Sequence, residues 1–106
     1  DYIHVSDLAG AHVAAVNYSA AHTGVEAFNI GTGKGATVLE VVKAFEKASA
    51  QRIPYVISPR RAGDIAASVA DPKKAHELLR WKAKLTLNDM CKSAWKWQSQ
   101  NSEGYR

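Results

Sequence analysis

The residues best able to do chemistry stand in one short loop, Pro59-Arg60-Arg61-Ala62-Gly63-Asp64. An arginine pair between a proline and a glycine serves no helical stripe and no apolar core, and loops on a rigid scaffold are where ligands are held. A guanidinium grips a phosphate through two parallel N–H bonds, while a nearby carboxylate accepts bonds from sugar hydroxyls. A nucleotide-sugar would use both.

Other candidates fall away on spacing. Gly31-Thr32-Gly33-Lys34-Gly35 follows an alternating apolar run and precedes a helical pattern, the place where backbone N–H groups bind phosphate. A dinucleotide fingerprint needs G-x-G-x-x-G and an acidic residue about twenty positions on. Here Pro54-Tyr55-Val56 stands at that distance, so the loop reads as a structural turn. His4, His12, His22 and His76 are scattered and no Cys lies beside them, which excludes the usual zinc patterns. His12 reads as a core-edge residue, and His4 stays ambiguous. Cys91 lies on an apolar stripe and reads as a small core residue with little thiolate. Trp95 reads as core, while Trp81 and Trp97 stay open between packing and stacking on a ligand. Nine basic residues between Arg60 and Lys96 fall mainly on polar helix faces and turns, the pattern of a solvated surface. No Tyr is followed four positions later by Lys, and no catalytic residue is assigned.

The elements that must position the Arg61 loop follow from periodicity. Tyr2-Ile3-His4-Val5 alternates as a short strand, with Ser6 as the cap of a helix to about Ala21 and Asp7 complementing its dipole. The apolar stripe of that helix reads as Leu8, Ala9, Val13 and Val16. Val25 to Ile30 reads as a second strand. Thr37 and Glu40 form a capping pair opening a helix to about Ser49. Ile53 to Ile57 reads as a third strand, Ile65 to Val69 as a short extended piece, and Asp71-Pro72 as the start of a helix to about Leu79. Thr86 with Asp89 opens the last helix. The expected fold class is therefore α/β, with three to four short strands and about four helices.

A chain of 106 residues, 46% of them hydrophobic, suits a single globular unit. No window holds the roughly 18 apolar residues of a membrane span, so no membrane partner is expected. A lone Cys and no secretory signal point to the cytoplasm. The net charge of +4 suits phosphate-bearing ligands but falls short of a nucleic-acid binder. The sequence opens on an apolar alternating run with no initiator Met, as a piece of a longer chain would.

Five stretches are familiar together: Asp-Tyr-Ile-His-Val-x-Asp-Leu-Ala-x-x-His at 1–12, Phe-Asn-Ile-Gly-Thr-Gly at 28–33, Val-Leu-Glu-Val-Val-Lys-Ala-Phe at 38–45, Pro-Arg-Arg-x-Gly-Asp at 59–64 and Trp-Lys-Trp-Gln-Ser at 95–99. Over essentially its whole length the chain resembles the C-terminal third of the UDP-glucose 4-epimerases, extended short-chain dehydrogenases. The resemblance implies that residues 1–106 are the UDP-sugar-binding portion of an isomerase of galactose metabolism. It interconverts UDP-galactose and UDP-glucose by oxidising C4 with NAD and returning the hydride to the other face. The NAD-binding Rossmann domain and the Tyr/Lys proton-transfer pair would lie in an N-terminal part absent here, so the chain alone should bind no cofactor and be inactive. Val25 to Ile30 would complete the Rossmann sheet. By the same resemblance Arg61 meets the diphosphate, Asp64 the ribose, Ala62 and Gly63 lie between them, and Ser68 lines the hexose pocket. A small residue at 68 would also admit UDP-N-acetylhexosamines. The complete enzyme would be a homodimer. The alternatives are a related nucleotide-sugar epimerase or dehydratase, or a non-catalytic anion-binding module.

Overall fold

The computed structural model describes residues 1–105. Its helices are α1 (Val5–Ser19), α2 (Val38–Ser49), α3 (Lys73–Leu78) and α4 (Leu87–Gln100). Two of the starts follow directly from local sequence. Thr37 and Thr86 each accept a backbone N–H from the third helical residue, and Glu40 and Asp89 return a bond to the capping residue. Such reciprocal caps satisfy donors that a helix cannot satisfy internally. They also hold both carboxyls below their ordinary range, Glu40 chiefly through the Thr37 backbone N–H and Asp89 chiefly through the Thr86 hydroxyl.

The expected α/β architecture is not formed: among the described residues there is no strand. Alternation marks a surface suited to half-burial, but a ladder needs a second backbone alongside, and none of these segments forms a ladder with another among the described residues. Side chains take up several of the backbone groups instead. Lys74 donates to the Ala27 carbonyl at 2.9 Å, pairs with Glu26 at 2.6 Å and lies 4.9 Å above the Phe28 ring. The Ile53 N–H donates to Glu46 Oε1, and the Ala70 N–H to Asp1. The first expected strand also ends early, because α1 begins at Val5. Its cap is His4 rather than Ser6. The imidazole Nδ1 accepts the Ser6 N–H at 3.1 Å, so Nε2 carries the proton and donates to Ser93 Oγ at 2.9 Å.

α1 is apolar on two sides, and the structure buries the side that periodicity did not select. Ala11 and Asp7 are buried, and Ala14, Ala15 and Tyr18 pack on the core, leaving Val13 and Val16 62% and 68% exposed. The packed side is mostly small, with Ala11, Ala14 and Ala15, so α1 approaches Trp81 closely: a Cβ at Gly10 would sit 3.5 Å from the indole nitrogen. Ala11, Ala75, Leu79 and Trp81 form the core, with Ile3, Phe28, Ile30 and Ala83 against it. α2 packs on α4, where Ala44 and Cys91 are buried.

The body is flat, 49 × 37 × 23 Å, with a radius of gyration of 16.9 Å. A self-contained domain of this length has about 13 Å. Val25, Val56, Ile57 and Ile65 are exposed on it.

Candidate substrate-binding site

Arg61 and Asp64 lie on one turn. The Asp64 N–H donates to the Arg61 carbonyl at 3.3 Å, and Gly63 takes φ +87, a conformation that favours glycine, with open space where a Cβ would be. Arg61 Nε meets Asp64 Oδ2 at 3.2 Å, with the arginine side chain 86% exposed. A pair so open to water contributes under about 1 kcal/mol. The guanidinium is therefore poised to exchange the carboxylate for a phosphate, which offers more charge and a bidentate edge. Such an exchange would free Asp64 for a second group on the same ligand.

Ser68 borders a cleft of about 430 Å³ with Asp1, Ile3, Phe28, Asn29, Ile30 and Gly31. Arg60 to Asp64 do not line that cleft. The structure thus joins Arg61 and Asp64 on one turn, while Ser68 borders a cleft that the turn does not line. A larger cavity of about 870 Å³ lies between the glycine loop and residues 82–87, with Tyr2, Lys34, Lys73, His76, Lys82 and Lys84 in its lining. None of the expected site residues borders it.

The glycine loop is a turn held by Asp1. The carboxylate accepts from the Thr32 N–H at 3.2 Å, the Thr32 hydroxyl at 2.6 Å, the Gly33 N–H at 2.9 Å and the Ala70 N–H at 3.3 Å. Those amides already have an anion. Gly31 is required beneath it, since a Cβ would lie 2.6 Å from the Ala70 Cβ and 2.8 Å from Asp1 Oδ2. Sequence reading missed Asp1, because its partners are up to 69 residues away. Its place at the head of the Asp-Tyr-Ile-His stretch was the only signal.

The remaining candidates are structural or solvent-facing. His12 is exposed, its Nδ1 bonded to the Leu8 carbonyl, and His22 stacks on Tyr18. No group of three metal-ligating side chains converges among the described residues. Burial pushes the Cys91 thiol up. Trp81 is core and Trp97 is half-exposed. No helix is long and apolar enough to cross a membrane.

The model of the family described as GDP-mannose 4,6 dehydratase matches residues 1–94. The chain belongs to that family. Within it, the chain is 53% identical over its full length to the UDP-glucose 4-epimerase of Bacillus subtilis, of which it spans 31%. The crystal structure of the UDP-glucose 4-epimerase from Bifidobacterium longum, in complex with NAD+ and UDP, superposes with a TM-score of 0.91 at 52% identity. It covers 99% of this chain, which spans 31% of that one. The UDP-Glc/GlcNAc 4-epimerase of Campylobacter jejuni superposes with a TM-score of 0.82 at 39% identity, covering 94% of this chain and 30% of its own. The chain thus spans about a third of the relatives it matches, along their C-terminal part. The expected resemblance to the UDP-glucose 4-epimerases holds.

Proposed function

We propose that this chain is the UDP-sugar-binding portion of a UDP-glucose 4-epimerase, an isomerase that interconverts UDP-galactose and UDP-glucose. The observation that carries this reading is the match of the whole chain, at about half identity, to relatives of that name. Arg61 then holds the diphosphate, Asp64 the ribose, and Ala62 and Gly63 keep the two at their spacing. Ser68 forms a small wall beside the hexose that leaves room for an N-acetyl group, in keeping with the relative described as a UDP-Glc/GlcNAc 4-epimerase.

NAD belongs to the complete enzyme on this reading, and the residues present do not fit it. The Thr32 and Gly33 amides that a phosphate would need are bonded to Asp1, and the sequence has no Tyr with Lys four positions on. No step through the cofactor is assigned to this chain. An N-terminal NAD-binding portion covers Val13, Val16, Val25, Val56, Ile57 and Ile65, and the flat shape supports such a partner. A second copy makes the complete enzyme a homodimer, and the lone buried Cys91 suits the cytoplasm.

Joining the chain to the N-terminal two thirds of the Bacillus subtilis relative tests the proposal. Epimerisation of UDP-galactose is expected from the joined protein and none from the chain alone with added NAD. A joined, folded protein that dehydrates its nucleotide-sugar, or binds UDP no better than other polyanions, would overturn it.

A further inference from the structure

Asp1 ties together three stretches that are distant in sequence. Its carboxylate accepts from Thr32 and Gly33 on one side and from the Ala70 N–H on the other, and its main-chain nitrogen donates to the Ser68 carbonyl at 2.6 Å. That nitrogen is the amino group that opens this chain, so the side-chain bond to Ala70 is the tie that an Asp1 substitution releases. Asp1 also lines the cleft that Ser68 borders. We propose that Asp1 is a positioning residue for the sugar pocket: it sets the depth of the Ser68 wall by clasping residues 68–70 to the glycine loop. The proposal rests on the reading of Ser68 given above.

The bonding pattern makes the clasp specific to a carboxylate. Oδ1 accepts both Thr32 donors, while Oδ2 accepts the Gly33 and Ala70 N–H groups. An asparagine has one acceptor oxygen. Turned toward Gly33 and Ala70, it leaves the Thr32 N–H without an acceptor, although its NH2 can still donate to the Thr32 hydroxyl. Turned the other way it abandons Gly33 and Ala70. Alanine abandons all three amides. The two variants therefore separate partial from complete loss of the side-chain bonds, while the main-chain nitrogen stays on the Ser68 carbonyl in both.

Amide hydrogen exchange in the 106-residue chain reads the clasp directly. Asp1→Ala is expected to speed exchange at Thr32, Gly33 and Ala70 tenfold or more with the α2 and α4 amides unchanged. Asp1→Asn should do so mainly at Thr32. Should Asp1→Ala unfold the chain, Thr32→Val removes the hydroxyl's bonds to Asp1 and Lys34, keeps the Thr32 N–H bond to Asp1, and is expected to loosen Thr32 and Gly33 less. In the joined enzyme described above, the ratio of kcat/KM for UDP-N-acetylglucosamine to that for UDP-glucose is expected to shift at least threefold in Asp1→Ala, with Asp1→Asn between it and wild type. Unchanged exchange at the three amides overturns the clasp. Faster exchange with an unchanged substrate ratio overturns its positioning role. Ser68→Tyr separates this from the underlying reading: if N-acetyl activity survives that change, the Ser68 wall is wrong, whatever the exchange result.

Discussion

Asp7→Ala should be among the most damaging single substitutions outside the apolar core. The Asp7 side chain is buried, and its Oδ2 accepts the Lys84 N–H at 3.0 Å and the Leu85 N–H at 2.8 Å. It thereby pins the segment that leads into the α4 cap to the first turn of α1. Truncation leaves two part-buried N–H groups unpaired, at about 1 to 3 kcal/mol each. It also removes a first-turn carboxylate, at about 0.3 to 1 kcal/mol. Allowing for water reaching one of the N–H groups, the net loss is about 3 kcal/mol, or roughly 12 to 24 °C in Tm for a chain of this length. Asp7→Asn discriminates, because both bonds end on one oxygen and an amide oxygen in its place keeps both as neutral bonds. It should cost about half as much. Urea and thermal denaturation followed by far-ultraviolet circular dichroism measure both variants. If Asp7→Ala falls within 1 kcal/mol of wild type, or Asp7→Asn costs as much as Asp7→Ala, the carboxylate is not what fastens residues 84 and 85.

In the joined enzyme, Arg61→Ala should weaken UDP-sugar binding by about 2 to 4 kcal/mol, roughly thirty- to a thousand-fold, and Arg60→Ala much less. Calorimetric titration checks this, and equal losses would mean that the wrong arginine is assigned. Glu40 and Asp89 have lowered pKa values in the folded state, so their contribution is present above the ordinary carboxylate range and is lost as pH falls through the lowered values. Melting temperature should therefore drop in acid, and Thr86→Val should flatten that dependence more than Thr37→Val, which keeps the backbone N–H that chiefly holds Glu40 low. Ala50 ends α2 at φ +53, where glycine is at ease, so Ala50→Gly should raise stability by about 0.5 to 1 kcal/mol in urea titrations. The exposed Val13, Val16, Val56 and Ile57 should drive self-association, which light scattering would show as a mass rising with concentration.

What was legible in the sequence was local. The Thr37/Glu40 and Thr86/Asp89 pairs announce α2 and α4 because cap and partner lie three residues apart, and both boxes form. α1 was legible as a helix but not in orientation, since Val13 and Val16 look more hydrophobic than the Ala11, Ala14 and Ala15 side that packs closely on Trp81. The strand readings failed because alternation carries no information about the neighbour that would complete a ladder. The Arg61 to Asp64 turn could be picked out by residue type. The long-range contacts of the fold could not: Asp7 meets residues 77 and 78 positions away, and His4 meets Ser93 across 89. Nothing in a helical or strand period reports such pairs.

The Asp1 clasp also bears on the order in which the chain becomes native. Its bonds to Thr32 span 31 residues and its bond to Ala70 spans 69. Loop-closure entropy makes the longer closure costlier by about 0.7 kcal/mol. α2 and α4, started by three-residue caps, need no such closure. Helix formation should therefore come first, the Asp1–Thr32 contact next, and the fastening of residues 68–70 last. On warming, the order should reverse: the cleft at Ser68 opens while the helices are still intact, well below the temperature at which spectroscopy registers unfolding.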